Sequence, residues 1–383
     1  MNPVDYFPQG YWKVKNEKFI SKHKALTYAS EDNEAVHYVF FDHVWQNFDR
    51  SLLGSVPLKE LYKQRAQQLR DKYDYLILYF SGGADSYNVL RSFLDNNIKL
   101  DEVCVKWCNA TLEANTEIYV PNKIETSAYN YLSEWDFAIK PVLEWVSQYH
   151  PNVKIEIVDW FKDRKLVNPE LIFGIVNHWH DVEVNSLAVW SSSENALLEK
   201  GLKVGSIYGV DKPCTYFQDN KSYMYFLDNA TTMGTPNPNN VFGTEYFYWA
   251  HEMPLLTFEM ANVAIKAFES NQELNQVALT DKNKNDYQFK RHAVQMQQKK
   301  LRHVLYDNWT DNFQAFKPSV ADRSDKHWWI YKNKELSRYV EEYNDILNLH
   351  IKELKNSYYI GYSADKQVNN IYRPIATKRH LVR

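Results

Sequence analysis

Apolar and polar positions along the chain change period several times, and the changes mark out alternating strands and helices. Tyr75-Leu76-Ile77-Leu78-Tyr79-Phe80 is an unbroken apolar and aromatic run, which suits a strand covered on both faces in a parallel sheet. Directly after it, Val89, Leu90, Phe93 and Leu94 recur at helical spacing. The turn between Phe80 and Tyr87 therefore closes a strand and opens a helix. Ahead of the strand, Pro57 opens a helix through Leu58, Leu61, Ala66, Leu69 and Tyr73. Behind it the pattern predicts a strand over 101–107 and a helix over 125–149, with Leu132, Trp135, Ala138, Val142 and Trp145 on one face. A strand over 153–158, a helix over 187–200 and a strand over 206–210 complete the series. Strands alternating with helices predict an α/β fold, a doubly wound parallel sheet with helices on both faces.

The flanks read differently. Residues 1–50 are aromatic and polar with weak periodicity, an N-terminal covering element with one strand at His37–Phe41. Residues 51–230 carry the strand-helix alternation. From 231 the texture changes. Gly234-Thr235-Pro236-Asn237-Pro238-Asn239-Asn240 is turn-rich and marks a linker or an active-site loop. Residues 231–383 are helical in pattern and end in a polar, basic tail.

Composition narrows the classes. The 383 residues are long enough for two domains, or for one large domain with an appendage, and 45 Lys and Arg against 48 acidic residues give a net charge of −3. No bulk electrostatic attraction to nucleic acid follows, so any such contact is local. Three cysteines, Cys104, Cys108 and Cys214, are too few for a disulfide framework. No leader-like segment opens the chain, and no apolar run approaches the ~18 residues of a membrane helix. These features predict a cytoplasmic protein without membrane contact. Twelve Trp, 28 Tyr and 19 Phe supply large rings to cores and to binding grooves alike.

The chemistry concentrates at Ser81-Gly82-Gly83-Ala84-Asp85-Ser86. Gly82 and Gly83 give the backbone dihedrals barred to other residues and let an anion approach the amides. The first helical N–H groups and the positive end of the helix dipole then face that anion. A carboxylate at Asp85 repels phosphates unless a divalent cation lies between, which predicts magnesium. A Walker A loop is absent, because the chain has no Gly-Lys pair, and so is the Gly-x-G-x-x-Gly dinucleotide fingerprint. The Ser-Gly-Gly-x-Asp-Ser loop instead resembles the signature of the PP-loop ATP pyrophosphatases, the superfamily of asparagine synthetase, GMP synthetase, tRNA thiolases and phosphoadenylyl-sulfate reductases.

A second constellation, Gly209-Val210-Asp211-Lys212-Pro213, sits where a predicted strand ends, and ligands of open α/β sheets bind at the carboxyl ends of strands. In the asparagine-synthetase branch a glycine-flanked acidic loop after a later strand shares the metal, and Asp211 resembles that partner. Glu245-Tyr246-Phe247-Tyr248-Trp249, Met253-Pro254 and Phe313-Gln314-Ala315-Phe316-Lys317-Pro318 resemble blocks of bacteriophage-encoded PP-loop proteins of asparagine-synthase-like or sulfate-reductase-like type. On that resemblance the compartment is a host cytoplasm.

The resemblance implies an ATP-dependent activating enzyme. Such relatives transfer AMP to a carboxylate or carbonyl oxygen, release pyrophosphate, and let an amine, ammonia or sulfur nucleophile displace AMP. Ser81, Gly82, Gly83, Asp85 and Ser86 would hold the nucleotide, Asp85 and Asp211 magnesium, and Lys212 the leaving pyrophosphate. Two alternatives stay open: a non-catalytic nucleotide-binding subunit, and a PP-loop enzyme that modifies nucleic-acid bases.

Other motifs are weaker. His178 and His180 diverge by roughly 200° on a helix and align only in an extended segment. Cys104 and Cys108 lie about 13 Å apart on a strand, too far to share an iron–sulfur cluster. Reductase relatives need a redox cysteine near the C-terminus, and the last here is Cys214. Lys282, Lys284, Lys290, Arg291, Lys299, Lys300 and Arg302 form a basic stripe within 282–302, either a solvated helix face or a phosphate-contacting surface for RNA, DNA or an anionic substrate. The tail with Arg373, Lys378, Arg379 and Arg383 either closes over phosphates or is simply exposed.

Overall fold

A computed structural model describes residues 7–20, 24–25, 28–29, 34–107, 135–159, 165–166, 187–188, 190–210, 212–228, 237–271, 301–306 and 375–383. The chain opens with a small antiparallel sheet, β1 (Tyr11–Val14) between β2 (Glu17–Phe19) and β3 (His37–Val39). Trp12 and Tyr38 are buried in it, and Trp12 Nε1 donates to Asp228 Oδ2 at 2.9 Å, which ties the sheet to the rest of the chain. A short helix α1 (Asp42–Gln46) follows.

Pro57 stands at the N-cap of α2 (Leu58–Lys72) with φ −61, the value its ring imposes. Leu58, Leu61, Ala66 and Leu69 face inward, as their spacing predicts. Next come β4 (Tyr75–Tyr79), α3 (Ala84–Leu94) and β5 (Glu102–Trp107). A π-helical turn at Trp135–Ile139 leads into α4 (Lys140–Tyr149), with Pro141 in the first turn where its missing N–H is tolerated. Then β6 (Lys154–Asp159), a two-stranded pair of β7 (Lys165–Leu166) and β8 (Leu187–Ala188), α5 (Ser192–Glu199) and β9 (Val204–Tyr208) follow. After β9 run β10 (Cys214–Gln218), β11 (Lys221–Tyr225), β12 (Thr244–Tyr246), α6 (Pro254–Ser270) and β13 (His380–Leu381).

Five of these strands form one all-parallel sheet in the order β12-β9-β4-β5-β6. The chain starts in the middle at β4, winds outward through β5 to β6, and then returns to the far side of β4 for β9 and β12. The winding direction reverses between β4 and β9, the place where open α/β sheets leave a crevice at the carboxyl edge. Helices flank the sheet. Glu194 of α5 accepts from Tyr79 and Ser206, whereas Arg65 and Lys72 of α2 reach Glu245 on β12. Ser206 and Ile207 alternate across β9, and Ile207 is the register partner of Glu245. So α5 covers one face and α2 the other.

Three expectations change. The helix expected over 187–200 is shorter, because Leu187 and Ala188 pair with β7 and the helix starts only after the Ser191 cap. The antiparallel hairpin of β10 and β11 was not anticipated; its two-residue turn, Asp219-Asn220, takes φ 50 and 58, which suits a primed turn. The C-terminal tail is neither wholly exposed nor free of structure: β13 pairs with β11, and His380 and Val382 are buried. β12, beyond the turn-rich segment, is a strand of the same sheet that β4 centres. Among the described residues no helix is long and apolar enough to cross a membrane.

Candidate functional site at the winding reversal

The glycine turn connects the end of β4 to the start of α3. Gly82 takes φ 70, in the left-handed region, and a Cβ there would lie 2.8 Å from Ile139 Cγ1 and 3.1 Å from Ala138 Cβ. Gly83 instead has φ −78 and ψ 159, ordinary extended backbone. The expectation that both glycines need special dihedrals is therefore corrected. One left-handed residue is enough to turn the strand into the helix.

The turn is tied from within by hydroxyls. Ser86 Oγ donates to the Gly83 carbonyl at 3.1 Å and accepts from the Ser81 amide at 3.3 Å. Gly83, the N-cap residue of α3, has no side chain with which to cap it, and no side-chain cap is present among the described residues. The positive end of the helix dipole lies at this turn, a place that suits an anion. β9 ends against this same helix start. A Cβ on Gly209 would fall 2.8 Å from both N and Cα of Ser86, so only glycine permits the approach.

That approach brings the second constellation onto the first. Lys212 Nζ lies 2.7 Å from Asp85 Oδ1, joining residues 127 positions apart. The Tyr306 hydroxyl donates to the same carboxylate oxygen. Tyr248 donates to the Asp85 main-chain carbonyl at 2.7 Å and accepts from Asn88 Nδ2 at 3.0 Å. The Lys212 ammonium also stands 5.8 Å from the Tyr306 ring centre. Burial by itself raises the Asp85 pKa, but Lys212 and the Tyr306 hydroxyl outweigh it, with Arg302 adding attraction, and hold the carboxyl below its ordinary value. Burial and the neighbouring Asp85 push the Tyr306 hydroxyl well above its own, so it stays a donor.

Ser81, Gly82, Gly83, Asp85, Ser86 and Lys212 are thus brought together. Asp211 lies outside the described residues, and so do Cys108, His178 and His180, and the basic stripe except Arg302. Asn88 and Tyr306 were missed in the sequence, whereas Tyr248 and Arg302 were named there in other settings. Tyr248 sat in an aromatic block and Arg302 at the end of a charge run, but neither signal named a partner. Nothing in the local pattern distinguishes Tyr306 from the other tyrosines.

The Lys212 pairing also supplies a reason for Asp85 that needs no metal. A divalent cation still fits the donor set. Both bonds from Lys212 and Tyr306 fall on Oδ1, while Oδ2 has no hydrogen bond or ion pair among the described residues and the side chain is 26% exposed. Magnesium is commonly held by one or two carboxylates together with substrate phosphates and water. No group of three or more His, Cys, Asp or Glu that could cage a metal occurs among the described residues. An apolar groove of about 500 Å³, lined by Trp135, Leu143, Ile155 and Ile157, lies at the β6 edge and shares no residue with this site. Compared with known proteins, the chain matches no family model, no curated protein and no solved structure.

Proposed function

We propose that the chain is an ATP-dependent activating enzyme that transfers AMP to a carboxylate or carbonyl oxygen and releases pyrophosphate. The observation that carries this reading is the Asp85–Lys212 pair at 2.7 Å, set at the mouth of an uncapped, glycine-led helix start beside the winding reversal. An anion bound there meets backbone amides, a helix dipole and an ammonium together. The resemblance of Ser81 to Ser86 to the PP-loop signature supports a nucleotide as that anion.

On this reading the acceptor oxygen attacks the α-phosphorus and the bond to the β-phosphate oxygen breaks. An amine, ammonia or sulfur nucleophile then attacks the activated carbon, and AMP leaves. The amides of the turn hold the phosphates, and Ser86 fixes the turn. Asp85 steers Lys212, whose ammonium is shared with the leaving pyrophosphate as charge builds there. A magnesium ion would be held by Asp85 Oδ2, with Asp211 as a second carboxylate, and would neutralise phosphate charge.

A second reading is a non-catalytic nucleotide-binding subunit. It draws on the same pair: Lys212 and Asp85 neutralise each other, an arrangement that a binding site tolerates without any turnover. Incubation of the purified protein with magnesium and ATP labelled at the α and γ positions, plus a pool of small carboxylates and amines, separates the two. AMP and pyrophosphate are expected. Tight ATP binding with no cleavage leaves the binding reading, and ADP as product removes the proposal. Retention on RNA or DNA that falls steeply with salt would favour a nucleic-acid substrate.

A further inference from the structure

On the sheet face opposite to α2, a second cation stands at the carboxyl edge. Lys106 is the next-to-last residue of β5, half-buried, and its ammonium lies 4.7 Å from the ring centre of Tyr79 and 5.8 Å from that of Tyr208. These two tyrosines end β4 and β9, the strands that flank the winding reversal, and their rings stack at 4.8 Å with 6° between planes. Lys106 therefore lies over the floor of the crevice where ligands of open α/β sheets bind.

Among the described residues no anion is committed to it. Among the described residues no carboxylate comes within ion-pair distance of Lys106. The acids on the same face are engaged elsewhere. Glu194 accepts from Tyr79, Ser206 and Asn240, Glu102 accepts from Ser191 and Tyr75, and Glu156 pairs with Lys154. The Tyr208 hydroxyl, 93% buried with its residue, has no hydrogen-bond partner among the described residues either. Two donors without acceptors among the described residues thus sit in one cluster. Burial lowers the Lys106 pKa, and the nearby Cys104 and Glu194 raise it only in part. Faces of tyrosine offset some of the loss of water around an ammonium, but a full counter-charge offsets more.

From this arrangement we infer that Lys106, laid over Tyr79 and Tyr208, is an oxyanion-binding subsite, occupied by a phosphoryl or carboxylate group of a ligand lying along the carboxyl edge of the sheet. The subsite is separate from the Asp85–Lys212 pair and stands whether or not ATP is the ligand. If the activating reading holds, it receives the oxyanion that lies away from the pyrophosphate end.

Pyridoxal 5′-phosphate tests it on the full chain, because an anionic aldehyde should collect at the subsite. Its carbonyl condenses with the Lys106 amine with loss of water, and borohydride reduces the imine to a stable secondary amine that peptide mass spectrometry locates. Lys106 is expected to be modified ahead of the other lysines, and about tenfold more slowly when the subsite is filled. Protection by inorganic phosphate or AMP, but not adenosine, assigns a phosphoryl group; protection by acetate or succinate assigns a carboxylate. Lys106→Arg should keep phosphate binding and Lys106→Met should lose it. The wild-type protection experiment decides alone if Lys106→Met does not fold. Equal modification with and without every one of these anions, or equal rates with pyridoxal lacking its phosphate, overturns the subsite and leaves Lys106 a packing residue. Failure of ATP cleavage would leave this result untouched, so the two readings fall separately.

Discussion

Lys212 is the residue on which catalysis and mere binding differ most. Where an ammonium stabilises charge that builds on a departing group, its removal should slow turnover far more than it weakens substrate binding. Lys212→Met is expected to lower kcat by about 10²–10³ with ATP affinity changed only a fewfold. Comparable turnover in the variant and the wild type would remove Lys212 from the mechanism. Asp85 adds a stricter test, because the structure joins the two side chains. Asp85→Asn keeps the shape but loses the charge that steers Lys212. It should slow magnesium-dependent pyrophosphate release severely in a protein that still folds, with a lowered melting temperature because Lys212, 11% exposed, loses its counter-charge. If the two residues act as one unit, the Asp85→Asn, Lys212→Met double variant is no slower than the worse single variant. Fully additive losses would mean that they act apart.

At the scale of elements, the strand–turn–helix unit was legible from its pattern, but the distribution of strain within the turn was not. Two adjacent glycines look alike in sequence. The helix and the strand decide which one becomes left-handed, since Gly83 already has the extended backbone of an N-cap residue. Gly82→Ala is expected to destabilise by about 1–2 kcal/mol, because it places a Cβ in the left-handed region against Ala138 and Ile139. Gly83→Ala should change the melting temperature little. Thermal unfolding of both variants checks the contrast, and equal effects would contradict the assignment. The same limit applies to the second constellation. Its end-of-strand position was readable, yet only the closeness of Gly209 to Ser86 puts Lys212 onto Asp85.

At the scale of the molecule, β12 is held by a buried ionic cluster rather than by apolar packing alone. Arg65 and Glu245 are 2% and 6% exposed at 2.7 Å, and Lys72 and Tyr73 bond the other carboxylate oxygen at 2.8 and 2.6 Å. Burial by itself raises the Glu245 pKa, and these partners outweigh it. Glu245→Gln leaves the buried Arg65 with only the partly exposed Glu252, 3.6 Å away, as counter-charge, so a loss of about 3 kcal/mol is expected in urea unfolding. A loss below about 1 kcal/mol would show that the cluster is dispensable.

His251 makes stability depend on pH. It stacks on Phe41 at 3.7 Å, and burial takes its pKa from 6.5 down to about 4, against the opposing pull of Glu252 and Glu245. A histidine depressed in the folded state contributes stability above its unfolded pKa and loses it as pH falls from 6.5 toward 4. Asp42 works the other way: burial raises it to about 6, so its contribution is present at low pH and lost as pH rises through 6. His251→Phe keeps the ring stack and should flatten the acid loss of stability between pH 6.5 and 4 by at most about 3 kcal/mol. Parallel pH profiles of the urea midpoint would refute it.

What the sequence determined alone are the features with short-range causes. The apolar run of β4, the helical spacing after it, the proline-led start of α2 and the glycine turn all follow from side-chain period and local backbone preference. Those local rules also placed the glycine turn of Ser81 to Ser86 between a strand and a helix. The tertiary structure decided what depends on which elements become neighbours. It chose Gly82 over Gly83, set Tyr248 and Tyr306 around Asp85, carried β12 into the central sheet, and left Lys106 over Tyr79 and Tyr208. These residues lie far apart along the chain, and the winding of the sheet, with its reversal between β4 and β9, is what brings them together.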